Sequence, residues 1–172
     1  NEDNGGGGAI FFAGINNTIT LTNNQFHDNI GQTGGAIKIN NASTINIQNS
    51  TFQSNIANKR GGGVYLSMGS LMIDNCDFAE NYALEGGSIY IDGGDLNING
   101  ATVFDNNGAI TGAVLYNEGA SFYMEKVEMT NNHASSDAGA IFNAGTMTLV
   151  GCLFSNNFAS NENNHNILSV AE

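Results

Sequence analysis

Apolar residues come in short alternating pairs along this chain, and the pairs recur at a nearly fixed interval. They are Ile19/Leu21, Ile45/Ile47, Leu71/Ile73, Leu96/Ile98, Phe122/Met124 and Met147/Leu149. Alternation with period two predicts a strand that points one side chain inward and the next outward. No stretch carries the 3.6-residue period of a helix, and the Gly- and Asn-rich, β-branched segments disfavour one.

Two further signatures flank each pair. A glycine-led motif precedes it: "GGAIKI" at Gly34, "GGGVYL" at Gly61, "GGSIYI" at Gly86, "TGAVLY" at Thr111 and "AGAIFN" at Ala138. Its second glycines, taken as Gly8, Gly35, Gly62, Gly87, Gly112 and Gly139, are 25 or 27 residues apart. An F-x-x-N motif follows the pair, at Phe26–Asn29, Phe52–Asn55, Phe78–Asn81, Phe104–Asn107 and Phe154–Asn157, with Met129 and Asn132 in the remaining copy. An Ala closes each unit at 57, 83, 109, 134 and 159, with Gly31 in the first copy. A unit of about 26 residues with three short strands cannot bury its apolar face alone, so copies must stack. Left-handed hexapeptide coils have a shorter turn. The repeat predicts an all-β fold, a right-handed single-stranded parallel β-helix of about six and a half rungs of 25–27 residues, with residues 1–172 forming one domain.

Stacking about 4.8 Å apart turns each aligned position into a ladder. Phe26, Phe52, Phe78, Phe104 and Phe154 are expected to stack inside. Asn29, Asn55, Asn81, Asn107, Asn132 and Asn157 are expected at a bend, in left-handed backbone, with amides bonded up and down the stack. In the glycine-led strand, Ile10/Phe12, Ile37/Ile39, Val64/Leu66, Ile89/Ile91, Val114/Tyr116 and Ile141/Asn143 are read as inward. The outward column is then Phe11, Lys38, Tyr65, Tyr90, Leu115 and Phe142, beside small residues at Ala9, Ala36, Gly63, Ser88, Ala113 and Ala140 that keep the outer face flat. A contiguous apolar patch marks a contact surface, so this column is the candidate binding face. The alternative is inverted facing, with these aromatics in the core.

Charge narrows the partners. Sixteen acids against four basic residues, Lys38, Lys59, Arg60 and Lys126, give a formal −12. That is no phosphate-binding surface, and it argues against nucleic acid and anionic lipid. No apolar run reaches the roughly 18 residues of a membrane span, so direct membrane insertion is not expected. Regularly placed hydrophobic residues, 41% of the chain, argue against disorder.

The alternating G-G-A-[ILV] and F-x-x-N repeats resemble those of the polymorphic outer-membrane protein family of chlamydiae, over nearly the whole chain. Similar repeats occur in other surface proteins, including those of protists. The resemblance implies a right-handed β-helix displayed at the cell surface as an adhesin. Met129 for Phe, Thr111 and Ala138 for the first Gly, and Gly63 and Ser88 for Ala depart from the pattern. In that family the helix precedes a membrane barrel, and nothing here reads as one.

Catalytic and metal constellations are absent from the pattern. Acids alternate with neutral residues in each column: Asp28, Ser54, Glu80, Asn106; Gln48, Asp74, Asn99, Glu125; Asp77, Val103, Glu128. Asp74 and Glu125, two rungs or about 9.6 Å apart, are the nearest approach to an inverting glycosidase pair. A carbohydrate-binding or carbohydrate-cleaving β-helix, similar to pectate lyases or polygalacturonases, is therefore the alternative to a non-enzymatic module. His27, His133 and His165 fall in different columns and form no metal set. "DGGDLNING" (92–100) reads as a turn; no cofactor is expected, with weak calcium binding to the acidic surface left open. Cys76 and Cys152 share a column three rungs apart, beyond disulfide reach, and are read as free, largely buried thiols. Candidate glycosylation sequons begin at Asn16, Asn41 and Asn49. Regular T-x-T pairs, as an ice-binding face needs, are broken at Met72, Asn97 and Tyr123.

The chain opens in a repeat and closes with Ile167, Leu168 and Val170, which resemble a seventh glycine-led strand. The expectation is a segment of a longer solenoid or a stacking subunit, secreted or at the cell surface. Its expected partners are proteins, further copies of itself joined end to end or laterally, or glycans.

Overall fold

The computed structural model describes residues 6–14, 17–40, 44–161 and 166–170. The chain winds through about six turns, and strands stack only on their equivalents one turn away. Every strand pairing is parallel, and the register is broken only in the closing strands, between Gly31 and Thr33 and between Ala109 and Thr111.

Four walls result. The glycine-led sheet has seven strands, from Ile10–Phe12 through Ile37–Ile39, Val64–Leu66, Ile89–Ile91, Leu115–Asn117 and Ile141–Asn143 to Ile167–Ser169. The middle sheet carries the alternating pairs in six strands, Thr18–Thr22 to Thr146–Val150. The phenylalanine sheet has six, Gln25–His27 to Leu153–Ser155. A closing wall completes each turn: Ile30–Thr33 pairs with Ile56–Arg60, and Gly108–Thr111 with His133–Asp137 and then Phe158–Ala159. In the third turn this wall narrows to isolated bridges at Tyr82 and Glu85.

Three corners with left-handed backbone close each turn. One holds Asn23, Asn49, Asn75, Gly100, Lys126 and Gly151; the second Asp28, Ser54, Glu80, Asn106, Asn131 and Asn156; the third Gly34, Gly61, Gly86, Gly112 and Ala138. The second corner corrects the expectation for the asparagine ladder. It is the residue before each ladder Asn that has positive φ, which frees the Asn side chain to point into the corner.

There Asn55 shows why this residue type is needed. Its Oδ1 accepts from the backbone N and Nδ2 of Asn29, at 3.1 and 2.8 Å. Its Nδ2 donates to the Phe26 carbonyl and to Asn81 Oδ1, both at 2.9 Å. Only an amide of this length supplies one acceptor and two donors in that geometry. The same pattern continues through Asn81, Asn107, Asn132 and Asn157, which are all buried. Beside it Phe26, Phe52, Phe78 and Phe104 stack at centroid distances of 4.7, 4.4 and 4.8 Å. Met129 fills the next slot, fully buried, and Phe154 the one after.

Two readings of the glycine-led strand are corrected. The small residues do not flatten the outer face; Ala36, Gly63, Ser88 and Ala140 are buried. The backbone N–H groups of Ala36 and Ile37 both donate to the Gly63 carbonyl, at 3.1 and 2.9 Å, and those of Gly63 and Val64 both donate to Ser88. This doubled bond is a β-bulge, and it lets two successive residues face inward. A Cβ on Gly63 would lie 3.3 Å from the Phe78 ring, so at this rung the phenylalanine ladder lies directly beneath the column.

The second correction is the phase of the fifth rung. Leu115 pairs with Ile89, Tyr116 with Tyr90 and Asn117 with Ile91. Gly112 therefore takes the first, left-handed glycine position and Ala113 the second. Leu115 is fully buried in the core and does not belong to the outward column; Tyr116 takes its place there. Val114 and Asn117 face inward, not Val114 and Tyr116. Asn117 and Asn143 then form a second, shorter amide ladder inside, joined at 2.7 Å.

Candidate functional site

The outward column lies at the bottom of a groove. Its floor is Phe11, Lys38, Tyr65, Tyr90, Tyr116 and Phe142, which are register partners. One wall is the last position of the closing strands, Thr33, Arg60, Glu85 and Thr111. The other is the residue just after each glycine-led strand, Asn40, Ser67, Asp92 and Glu118, each set by its N–H donating to the rung below. Between the second and fourth rungs the groove encloses about 640 Å³, lined by Thr33, Lys38, Asn40, Lys59, Arg60, Tyr65, Ser67, Leu84, Glu85 and Asp92.

The candidate binding face is thus far less exposed than expected. Phe11, on the first rung, is 48% exposed, but Lys38, Tyr65 and Tyr90 are buried and Phe142 is half-buried. The physical reason is mutual stacking. Ring centroids lie 5.5 Å apart for Tyr65–Tyr90, 5.0 Å for Tyr90–Tyr116 and 4.3 Å for Tyr116–Phe142, so neighbouring rings cover one another's faces. Lys38 does not interrupt the column. Its Nζ sits 5.7 Å from both the Phe11 and Tyr65 centroids and bridges them by cation–π contact.

Polar tips finish the floor. Tyr65 Oη donates to Asp92 at 2.9 Å, and Tyr90 Oη donates to Glu118. Burial, reinforced by Asp92, pushes the Tyr65 pKa up to about 12, and burial with the Glu118 bond raises Tyr90 well above the usual tyrosine range. Arg60 lies 4.7 Å over the Tyr90 ring, pairs with Glu85 at 2.9 Å and reaches Glu118 at 4.0 Å. Burial alone would lower the Arg60 pKa; the anionic neighbours outweigh it and hold the guanidinium charged.

A second surface went unread in the sequence. The residues directly after the ladder asparagines, Ile30, Ile56, Tyr82, Gly108, His133 and Phe158, are register partners on the outside of the closing wall. Ile30 is 66% exposed, Tyr82 44% and Phe158 46%. Leu84 and Ile110, two positions on, are also exposed. The Tyr82 ring covers Gly108, where a Cβ would come within 3.2 Å of it, and His133 stacks on Phe158 at 5.1 Å. The result is a largely apolar stripe along the closing wall, interrupted by His133 before Phe158. The signal was in the alignment, one position past each ladder Asn.

The remaining candidates are placed as follows. Cys76 is buried, its thiol raised in pKa by burial, whereas Cys152 on the sixth rung is only partly buried; both are free thiols. Asn49 is exposed at a left-handed corner and accepts from Asn75; Asn16, Asn41 and His165 lie outside the described residues. Asp74 and Glu125 stand in one outward column of the middle sheet. Glu125 is bonded to Lys126 and Tyr123, which hold its pKa below the usual carboxylate range. Among the described residues no group of three His, Cys, Asp or Glu side chains is arranged to hold a metal ion.

A family model described as a right handed beta helix region matches residues 2–121. No curated protein and no solved structure matches the chain.

Proposed function

The chain belongs to the right-handed β-helix family, and from that premise we propose that it is a non-enzymatic structural and adhesive module, secreted or displayed at a cell surface, that docks a protein partner on its closing wall. The observation that carries this reading is the exposed column of Ile30, Ile56, Tyr82 and Phe158, flanked two positions on by Leu84 and Ile110. Scattered single apolar residues need no explanation, but a contiguous exposed run marks a contact surface. Asp28 and Glu80, at the corner beside the stripe, fringe it with negative charge, and the chain as a whole carries −12. The matching partner surface is apolar and rimmed by Lys and Arg. The resemblance of the repeats to surface adhesins supports the extracellular setting.

The test is adhesion of the chain, coupled to beads, to immobilised extracellular proteins of differing charge. Binding should be selective for basic ones, and the combined change Ile56→Thr, Tyr82→Ser and Phe158→Ser should reduce it at least tenfold while the fold is retained. Undiminished adhesion by that variant overturns the docking surface. Turnover of an acidic polysaccharide that is lost in Asp74→Asn or Glu125→Gln would replace the reading with a catalytic one.

A further inference from the structure

Three Asn-Gly pairs occur in the chain, at 4–5, 99–100 and 107–108, and the first lies outside the described residues. Such a pair carries its own chemistry. The glycine nitrogen can attack the side-chain amide carbon of the asparagine, because no side chain shields it and its backbone turns freely. Asparagine is thermolabile in this way. Two conditions decide whether a folded chain permits the attack. The asparagine amide must be free to turn towards the backbone, and the glycine N–H must not be held in a hydrogen bond.

Asn107–Gly108 fails both. Asn107 is buried in the amide ladder; its Nδ2 donates to the Phe78 carbonyl at 2.9 Å and to Asn132 Oδ1 at 3.0 Å, and its Oδ1 accepts twice from Asn81. Gly108 N donates to the Asn81 carbonyl at 2.9 Å.

Asn99–Gly100 meets both. It stands at the corner after the middle sheet, with Gly100 in left-handed backbone. At this corner the N–H groups of Asn23, Asn49 and Lys126 donate to the next rung at 2.9–3.1 Å. Asn75 does so only at 3.4 Å, to Asn99 itself, and Gly100 makes no such bond to the Glu125 carbonyl. The strand pairing opens at the same place. It includes Asp74 with Asn99 and Glu125 with Val150, but between the rungs of Asn99 and Glu125 it stops at Ile98 and Met124. Among the described residues, neither the Gly100 N–H nor the half-buried Asn99 side-chain amide has a hydrogen-bond partner. What tethers this peptide is its carbonyl, which accepts from Thr102 Oγ1 at 2.9 Å.

We propose that Asn99–Gly100 is a self-modifying site, at which the Asn99 side chain loses its amide in the folded protein without an enzyme. The Gly100 nitrogen forms a bond to Asn99 Cγ and gives its proton to solvent, while the Cγ–Nδ2 bond breaks and ammonia leaves. Water then opens the five-membered imide at either carbonyl, giving aspartate or isoaspartate. No oxidant and no reactant besides water is needed. The product changes the surface around it. Asp74 and Glu125 share the outward column of residue 99, one rung or about 4.8 Å to either side, and the Asp74 carboxylate lies where a Cβ on Gly100 would meet it. A carboxylate at 99 completes a run of three acids in a column where acid and neutral residues otherwise alternate. Like charges directly opposite one another destabilise a sheet, so the modification loosens this corner as the protein ages.

The test is incubation of the folded chain in warm, mildly alkaline buffer, followed by peptide mapping with mass spectrometry and an isoaspartate assay. Asn99 should convert at least tenfold faster than Asn107, with isoaspartate among its products. In urea, where both pairs are released, the two rates should agree within threefold. Asn99→Gln should abolish the early conversion. Asn99→Asp, which installs the charge at once, should lower the urea midpoint at low salt, and concentrated salt should at least halve that deficit by screening the carboxylates. The proposal is overturned if Asn107 converts within tenfold of Asn99 in the folded chain, or if Asn99 stays intact there while both pairs convert in urea. Conversion to aspartate alone overturns it too, since direct hydrolysis does not use the Gly100 nitrogen. An Asn99→Asp midpoint equal to the parent's overturns the consequence drawn for the corner.

Discussion

Two aromatic ladders run the length of this coil, one inside and one outside. Phe26 to Phe104 stack in the core at 4.4–4.8 Å, and Tyr65 to Phe142 stack on the groove floor at 4.3–5.5 Å. Stacking geometry is therefore the same on both sides of the wall. A parallel coil imposes it on any column of rings, because register alone sets their separation. What differs is the ring edge. Inside, edges meet Gly63 and apolar side chains; outside, hydroxyls reach Asp92 and Glu118. An outward aromatic column is thus no open platform by default.

The sharpest way to break this comparison is to truncate one ring in each ladder. Phe78→Ala removes a fully buried ring and should cost about 4 kcal/mol in urea denaturation. Tyr116→Ala, half-buried, should cost about 1–2 kcal/mol. Equal losses would mean that the outer ladder carries as much of the fold as the core.

Next in size is the asparagine ladder that supports the inner rings. Asn81→Ala leaves the backbone N and Nδ2 of Asn55 without their acceptor and removes the donor to the Phe52 carbonyl. Orphaned buried donors of this kind should cost about 3 kcal/mol, again read by urea denaturation. A loss below about 1 kcal/mol would show that water replaces the amide.

A smaller effect separates the ladders by pH. The folded-state pKa of Tyr65 lies above its unfolded value near 10, so its hydroxyl contributes stability in full below pH 10. That contribution is lost as the pH rises towards about 12, and Tyr90 shifts in the same direction. The urea midpoint should fall across this window, and fall less in Tyr65→Phe and Tyr90→Phe; the phenylalanine ladder has nothing to titrate. An equal fall in the variants would remove the tyrosines as its cause. The smallest contrast is between the thiols. Cys152 should react with a thiol reagent in the native state and Cys76 only after unfolding, because burial both shields it and raises its pKa.

The coil itself was legible because its signals are periodic: alternating pairs, F-x-x-N and the closing Ala each fix a phase independently. The fifth rung escaped because "TGAVLY" offers one glycine where the first four copies offer two, and a single glycine can be set in either position. Only the pairing of Tyr116 with Tyr90 decides it. The facing of Ala36 and Gly63 escaped because alternation assumes an unbroken strand, and the doubled bonds at these positions violate that assumption. The groove was legible only in part. Its floor column could be read from the repeat, but its walls come from Arg60, Glu85, Asp92 and Glu118, in the turns on either side, and their inward lean depends on corner geometry. The stripe of Ile30, Ile56 and Tyr82 was readable, but it abuts the ladder Asn and was absorbed into the bend.

The short amide ladder of Asn117 and Asn143 bears on how six similar turns find their proper order. A coil of near-identical repeats is prone to slip by one full turn during folding, looping one out, since most columns would match almost as well. Here the inward column is Phe12, Ile39, Leu66 and Ile91 before it turns polar at Asn117 and Asn143. Asn117 is satisfied only with Asn143 above it and its own turn at Ala120 beside it. A slip that set Asn143 on Ile91 would replace the Asn117 donor to its Oδ1 with a hydrocarbon surface. The pair acts as a frame marker, letting the chain count its turns from one internal landmark.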